Sequence, residues 1–330
     1  MAAYTAIDDP EAYFQVKLYS GTGSSLAVTL DGDTDMSPNL VWIKSRSHTN
    51  YHVATDTVRG VTEQIYPNDA GAEETTAGSL TVFGSDGFTV AGSSTDTNGS
   101  GRTYTAWCWN ESATSGFDIV AYSGTGSART VSHSLSATPH MIIIKRRDAS
   151  GTWHVYHKTL GADFVAAELD TTAVKKDNAN FMNDTEPTSS VFTVNTYDEV
   201  NASSGTHVAY CFAPKQGFSK FGYYVGNGNA NGPFVYTGFR PAFILYKNTD
   251  RDISWLIHDH KRLGYNINND EQHSDTNAVD GTDDRVDILS NGFKIRESSN
   301  LINVSGEKVI YAAFAEAPFV NSEGVPCNAR

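Results

Sequence analysis

A segment of about 100 residues occurs three times in succession in this chain, and this repeat limits the possible folds more than any other feature. Each copy opens with the pattern Tyr-x-Gly-x-Gly, continues with a proline followed by an apolar run ending in lysine, and closes with an apolar run rich in aromatic residues. In chain order these landmarks span residues 19–23, 38–44 and 106–109, then 122–126, 139–145 and 209–212, then 224–228, 241–247 and 311–314.

The residues between the landmarks predict strands and turns. Short runs rich in Val, Ile, Thr and aromatic residues alternate with clusters of Gly, Asn, Asp and Ser. The predicted fold class is therefore all-β, with three tandem β-sandwich or jelly-roll-like modules of about 100 residues each and a short N-terminal helical arm. Because the connections are short, we expect the modules to pack against one another. The predicted boundaries are an arm at 1–14, modules at 15–115, 116–219 and 220–319, and a tail at 320–330.

Three local patterns refine this prediction. The run before each shared lysine is apolar at successive positions, which predicts a central strand covered on both faces. In the closing runs large aromatic residues alternate with Cys or Ala, so we expect one face to pack bulky side chains and the other to lie close to its neighbour. No helix is predicted after the Tyr-x-Gly-x-Gly element, so we interpret it as a turn whose glycines supply positive φ, not as a phosphate-binding loop.

The segment before the first repeat contains the one helical signal. Asp9 is a suitable N-cap, and Pro10 suits the first turn of a helix. Because this arm lies outside the repeats, we interpret it as a docking arm for neighbouring proteins, and we expect the C-terminal tail to dock in the same way. The predicted docking residues are Asp8, Asp9, Pro10, Tyr13 and Phe14.

Composition argues against several classes of function. Lys and Arg total 24 and Asp and Glu total 38, giving a net charge of −14, so nucleic-acid binding is not expected. No run approaches the roughly 18 apolar residues that would span a membrane, and the N-terminus lacks the pattern of a secretion signal. The cysteines at 108, 211 and 327 lie far apart and predict neither disulfides nor a zinc site.

Catalytic templates are absent from the sequence, which has no G-x-S-x-G elbow, no Walker loop and no H-E-x-x-H. We therefore predict no enzymatic activity and no cofactor. A carboxylate pair for glycoside hydrolysis stays open, because its spacing is spatial and does not appear in a sequence.

One segment suggests a cation. Asp31-Gly-Asp33-Thr-Asp35 looks like the start of a calcium loop, but its twelfth position is Trp42 instead of a bidentate Glu. Asp31, Asp33 and Asp35 are therefore weak metal candidates, and a solvated turn is the other interpretation.

Residues found in one copy only are the better candidates for a specific function, because residues shared by all copies serve the fold. Two tryptophans at equivalent positions of the second and third copies are candidates on a different ground: Trp153 and Trp255 begin strands that we expect to be half exposed, so they are candidates for surface contact, with core packing as the alternative. The acidic stretch 266–287 is specific to the third copy and predicts a long surface loop, a frequent place for binding. Its candidate contact residues are Asp270, Asp275, Asp283 and Asp284.

Longer motifs connect the chain to a known family. They span residues 7–10, 13–14, 38–47, 85–90, 215–221, 225–229, 236–241 and 315–319. Together they resemble three-repeat virion structural, tail-fibre-like proteins of marine tailed bacteriophages. The resemblance covers nearly the whole chain. It implies a location on a phage particle assembled in the host bacterial cytoplasm, and it implies no catalytic or binding residue.

The resemblance leads us to expect a non-enzymatic structural protein of a virion. The first interpretation is a tail-fibre or appendage component that contacts other virion proteins and a host-surface glycan or outer-membrane protein, although the sequence has no coiled-coil shaft. A capsid decoration, collar or adaptor protein is the alternative, and a tail-associated glycan-binding or glycan-degrading protein is the second alternative. For an appendage we expect a homo-oligomer, with a trimer favoured, and no membrane insertion.

Overall fold

The computed structural model describes residues 4–165, 167–263, 266, 270–298 and 301–327. Over these residues the protein is built from antiparallel sheets and short helices, which confirms the predicted all-β, sandwich-like fold class. Each repeat forms one large sheet of four or five strands and a small sheet of two or three strands. No helix in the described ranges is long and apolar enough to cross a membrane.

The first repeat follows a 3-10 helix at Pro10–Ala12 in the N-terminal arm. Its elements are β1 Phe14–Ser20, β2 Leu26–Val28, β3 Leu40–Ser45, β4 Val53–Asp56, β5 Glu63–Gln64, β6 Glu74–Thr75, β7 Leu80–Gly84, β8 Gly87–Val90, α1 Thr95–Asn98 and β9 Thr103–Trp109. The large sheet has the order β1-β9-β3-β4, the small sheet has the order β2-β8-β7, and β5 pairs with β6.

The second repeat has the same plan. Its elements are β10 Phe117–Ser123, β11 Arg129–Ser132, β12 Met141–Arg146, β13 His154–His157, β14 Phe164–Val165, β15 Ala167–Glu168, β16 Lys176–Asp177, α2 Ala179–Met182, β17 Val191–Val194, α3 Asp198–Asn201 and β18 Thr206–Phe212. The large sheet has the order β10-β18-β12-β13-β15, and two small sheets pair β11 with β17 and β14 with β16.

The third repeat closes the chain. Its strands are β19 Ser219–Val225, β20 Phe234–Tyr236, β21 Phe239–Asn248, β22 Leu256–Asp259, β23 Gln272–His273, β24 Val286–Leu289, β25 Gly292–Ile295 and β26 Lys308–Pro318. The large sheet has the order β19-β26-β21-β22-β23 and the small sheet has the order β20-β25-β24. In all three large sheets the strand that contains the shared lysine lies between two neighbours, as predicted for a central strand.

In the first and second repeats the two faces of the large sheet belong to different cores, whereas in the third repeat both faces belong to the shared core. Trp107 and Trp109 of β9 face a core shared by all three large sheets, whereas Ala106 and Cys108 face the small sheet of their own repeat. This confirms the predicted division into a bulky and a close-packed face, and it follows from the two-residue period of a strand. The boundaries predicted for the three modules stay a prediction.

The Tyr-x-Gly-x-Gly elements are turns, as predicted. The last glycine of each element has a φ of 66° to 70°, in the left-handed region that favours glycine. A buried asparagine closes each turn, and its Oδ1 accepts the amide hydrogen of the residue between the glycines at 2.8 or 2.9 Å. The three asparagines are Asn98, Asn201 and Asn303. The element therefore serves the fold of every repeat.

Candidate functional site

Trp153 and Trp255 lie inside the molecule, each 1% exposed, contrary to the expected half-exposed strands. Trp153 Nε1 donates to the carbonyl oxygen of Tyr66 in the first repeat at 2.9 Å, and Trp255 Nε1 donates to that of Glu168 in the second repeat at 3.0 Å. The surface role predicted for both residues is wrong, because each strand is covered by the preceding repeat.

His52 makes the same kind of contact between the first and third repeats. Its Nδ1 accepts a hydrogen bond from Trp42 Nε1 at 2.9 Å, so Nε2 carries the proton and donates to the carbonyl oxygen of His273 at 3.0 Å. Burial holds the pKa of His52 well below its usual range, so the ring stays neutral. With the two tryptophans, this contact closes the repeats into a ring.

Two buried ion pairs lie at junctions of this ring, and the carboxylate of each also accepts a hydrogen bond from a neighbouring repeat. Asp56 and Arg59 are joined at 2.6 Å, and Asp259 and Arg262 at 2.7 Å, with all four side chains fully buried. Arg262 and the indole of Trp107, in the first repeat, hold the pKa of Asp259 below its usual range. These charges are compensated within the fold, so they do not form a reactive site.

The junction between the second and third repeats has a different chemistry. His157 occupies the position of Asp56 and Asp259, and its Nε2 lies 3.2 Å from the carbonyl oxygen of Tyr311 in the third repeat. Burial lowers the pKa of His157 to about 4. A neutral histidine here replaces the ion pair of the other two junctions.

The predicted calcium candidates do not form a metal site. Asp31, Asp33 and Asp35 are exposed, and Asp31 forms an ion pair with Lys17. Across the part of the chain that the structure describes, no group of three or more His, Cys, Asp or Glu could hold a metal ion. The solvated-turn interpretation fits the three aspartates.

The predicted acidic loop 266–287 contributes to a junction between repeats. Residues 267–269 of this stretch lie outside the described residues. Asp270 is 8% exposed and forms an ion pair at 3.1 Å with Arg46 of the first repeat, so it is not the free surface residue that we expected. Asp275 Oδ2 accepts a hydrogen bond from Ser254 within its own repeat at 2.9 Å.

The other two candidates of this stretch, Asp283 and Asp284, are exposed, and Asp283 pairs with Arg285. Their position leaves them accessible to a partner, so their contact role stays a prediction.

The N-terminal arm packs on its own chain. Asp9 Oδ1 accepts the amide hydrogen of Glu11 at 3.0 Å, which confirms the predicted cap of the helix that begins at Pro10. Asp8 accepts the amide hydrogen of Ser322 at 2.6 Å, so the arm and the C-terminal tail lie together.

The last two docking candidates pack on the protein itself: Phe14 lies inside the core, and Tyr13 is half-buried against it. Phe14 is 1% exposed within the shared core, and the ring of Tyr13 packs 6.0 Å from that of Phe218. Phe14 is therefore unavailable for docking to a neighbour, since its side chain already fills the core between the sheets.

A central cavity of about 40 Å³ lies where the three large sheets meet, but it does not fit a ligand site. Its lining is apolar or aromatic and includes Trp109, Phe212 and Phe314, one from each repeat. A cavity this small and apolar is too small for a sugar or cofactor and offers little to hold water.

An aromatic groove of about 340 Å³ on the third repeat is the stronger candidate. Tyr223 of β19 and Phe234 and Tyr236 of β20 line it, and they are 53%, 47% and 48% exposed. Val235, between the last two, is buried and pairs with Phe293 inside the sandwich, so Phe234 and Tyr236 face outward. Gly222 keeps the floor open, because a Cβ there would lie 2.8 Å from the hydroxyl of Tyr311.

The aromatic residues of this groove are specific to the third repeat. Strand pairing places Val28, Val131 and Val235 opposite equivalent phenylalanines, which fixes the equivalent positions. Where the third repeat has Tyr223, Phe234 and Tyr236, the first has Leu18, Ala27 and Thr29, and the second has Ala121, Thr130 and Ser132. The fold therefore does not require aromatic residues at these positions.

Two adjoining grooves extend this surface. One of about 420 Å³ shares Lys220 and Tyr236 with the aromatic groove, and one of about 270 Å³ continues from it past Tyr4 and Lys215. We call the three together the furrow. The charged residues that line it in the described chain are Lys215 and Lys220, and no Asp or Glu lines it.

The sequence analysis did not predict the furrow, although the sequence contains a pattern that indicates part of it. Phe234 and Tyr236 flank Val235 with the two-residue period of an outward-facing pair, and comparison of the repeats would have singled them out. The meeting of β19 with β20 had no such signal, because the two strands belong to different sheets.

The fold and these surfaces define an all-β protein whose three sandwich-like repeats close around one core. The chain belongs to the family described as Domain of unknown function (DUF7483), whose model matches residues 9–318. No curated protein matches the chain significantly.

Proposed function

We propose that the chain is a non-enzymatic structural protein of a bacteriophage particle that makes its specific contact through the furrow of the third repeat. The observation that supports this proposal is the presence of three exposed aromatic residues in one repeat and their replacement by smaller residues in the other two. Exposed aromatic clusters on an otherwise polar surface mark places where proteins bind partners. The virion context rests on the sequence resemblance.

The rest of the molecule suits a rigid support. Three buried hydrogen bonds join the repeats, donated by the side chains of His52, Trp153 and Trp255 to backbone carbonyl oxygens of a neighbouring repeat. The third repeat is therefore fixed relative to the others. A glycan-degrading enzyme would need a pair of carboxylates beside its substrate, and none lines the furrow among the described residues. We therefore favour contact over catalysis.

A triple variant, Tyr223→Ala with Phe234→Ala and Tyr236→Ala, tests the proposal. We expect it to fold normally, because all three side chains are about half exposed, and to lose binding of the labelled protein to host cells and to virions. The control is Tyr51→Ala, which removes an aromatic residue that is 44% exposed in the first repeat.

Loss of host-cell binding alone would support a tail appendage, and loss of virion binding alone would support a decoration or adaptor protein. Unchanged binding to both would contradict the proposal. The trimer predicted for an appendage stays a prediction, which light scattering of the purified protein would check.

A further inference from the structure

We infer that the furrow binds an acidic polysaccharide, a linear chain of sugar rings that bear carboxylates. This inference rests on the proposal that the furrow is the contact surface, and it names the chemistry of the partner. It follows from the aromatic residues, the charges and the shape of the furrow taken together.

The aromatic residues provide flat apolar faces at the surface. Tyr223, Phe234 and Tyr236 each leave about half of the side chain in contact with solvent. Aromatic side chains combine a broad apolar face with few rotatable bonds, so they bind flat partners at a low cost in conformational entropy. The C–H face of a pyranose ring is such a partner.

The charges of the furrow are opposite to those of the whole protein. The chain has 38 acidic and 24 basic residues, yet Lys215 and Lys220 line the furrow without an acidic residue among the described lining. Lys220 Nζ lies 5.3 Å from the ring centre of Tyr236, and Lys308 Nζ lies 5.0 Å from that of Tyr223. Each cation therefore lies over an aromatic ring of the furrow, close to where the carboxylate of a bound sugar would lie.

Among the described residues no carboxylate forms an ion pair with Lys215, Lys220 or Lys308, although Asp250 attracts the charge of Lys308. Glu307 and Asp250 lie close in sequence or space to Lys308, but they pair with Arg251 and Lys175. Partial burial lowers the pKa of Lys215 and Lys220, and a bound anion would favour their charged forms.

The shape of the furrow favours a polymer over a single sugar. Its three grooves adjoin at Lys220 and Tyr236 and again at Tyr4 and Lys215. Between them the hydroxyl groups of Tyr4 and Tyr236 lie 3.2 Å apart at the surface. Tyr4 donates its hydrogen to the carbonyl oxygen of Gly238 at 2.9 Å, so it can accept from a sugar hydroxyl, and Tyr236 can donate to one.

Single-stranded nucleic acid is the other linear anion that stacks on aromatic residues. It fits less well, because its phosphates would approach a protein of net charge −14, and phosphate contacts dominate that kind of binding. A polysaccharide with one carboxylate on every second ring presents a lower charge density than a nucleic acid with one phosphate per nucleotide.

Calorimetric titration of the whole chain tests the inference. The probes are polygalacturonate, alginate, hyaluronate and polysialate, each compared with its carboxyl-reduced form, and an oligothymidylate. We expect at least one acidic polymer to bind about tenfold tighter than its reduced form. Lys220→Gln with Lys308→Gln should remove most of that difference, Tyr236→Ala should weaken both forms, and Lys158→Gln, a remote exposed lysine, should change neither.

Three results would overturn the inference. They are the absence of any preference for a carboxylated polymer, binding that survives the triple alanine variant of the furrow, and tighter binding of the oligothymidylate with a steep salt dependence. If the triple variant loses cell or virion binding while no polysaccharide binds, the proposed contact function stands and the saccharide inference fails. If polysaccharide binds but cell and virion binding do not depend on the furrow, the saccharide inference stands and the proposed contact function fails.

Discussion

Tyr210 of the second repeat donates its phenolic hydrogen to Asp56 Oδ2 of the first repeat at 2.7 Å, and the same oxygen accepts a hydrogen bond from Arg59 Nε at 2.6 Å. Desolvation by burial raises the pKa of Tyr210 well above its usual range, so the hydroxyl keeps its proton. A buried carboxylate is therefore shared between an arginine of its own repeat and a tyrosine of the next.

The first prediction concerns this hydroxyl. Tyr210→Phe should destabilise the protein by about 2 kcal/mol, because it removes a hydrogen bond to a buried charged group. Chemical denaturation would measure the loss, and Tyr51→Phe, at an exposed ring, should show little change. Equal stability of the two variants would contradict a structural role for the contact.

The second prediction concerns the ion pair. Arg59→Met should cost about 3–5 kcal/mol, because it leaves the carboxylate of Asp56 buried without its cation. The double variant Asp56→Leu with Arg59→Met should recover part of that stability, since no isolated charge is left but the hydroxyl of Tyr210 loses its acceptor. Additive losses in a double-mutant cycle would show that the two side chains act independently.

The third prediction concerns the asparagines that close the glycine turns. Asn201 Nδ2 donates to the carbonyl oxygens of Ser127 and Asn195, at 2.7 and 2.6 Å, while its Oδ1 accepts from Thr125. Asn201→Ala should cost about 3 kcal/mol, because it leaves several buried polar groups without partners. Asn231→Ala, at an exposed asparagine, is the matched control, and thermal denaturation would compare the two.

The fourth prediction concerns acid. The pKa of His157 is about 4 in the folded protein because the ring is buried, against an ordinary value of about 6.5 when unfolded. Between these values the unfolded chain binds the proton and the folded chain does not, so stability falls as the pH drops from about 6.5 to 4. Because each pKa unit corresponds to about 1.4 kcal/mol, this difference contributes about 3 kcal/mol to stability above pH 6.5.

His157→Gln, which keeps a neutral hydrogen-bond donor at this position, should flatten this part of the pH dependence. Unfolding measured at a series of pH values would test it. A slope identical to that of the unmodified protein would place the titration on other residues, such as His52 and His258, whose pKa values are also lowered by burial.

Several parts of the fold were predictable because their causes are local or periodic. The alternation in Ala106–Trp109 predicted which side chains share a face, since a strand turns its side chains over every residue. The cap at Asp9 and the glycine turns followed from backbone preferences of a few adjacent residues. None of these three features depends on which distant segment packs against it.

The burial of Trp153 and Trp255 could not be predicted from such local or periodic causes. Their strand pattern does not reveal that two segments of the preceding repeats, the loop at Tyr66 and the strand that ends at Glu168, cover them. Asp270 and Phe14 were misplaced for the same reason, because their partners lie in other repeats.

The sequence by itself thus determined the three repeats, the strands and turns within them, and the face on which each strand buries its aromatic residues. The tertiary structure alone decided which of those faces meet another repeat and which stay open. Pairing between distant segments depends on how the sheets close around the common core, so it put Trp153 inside and left Tyr223, Phe234 and Tyr236 together at the surface.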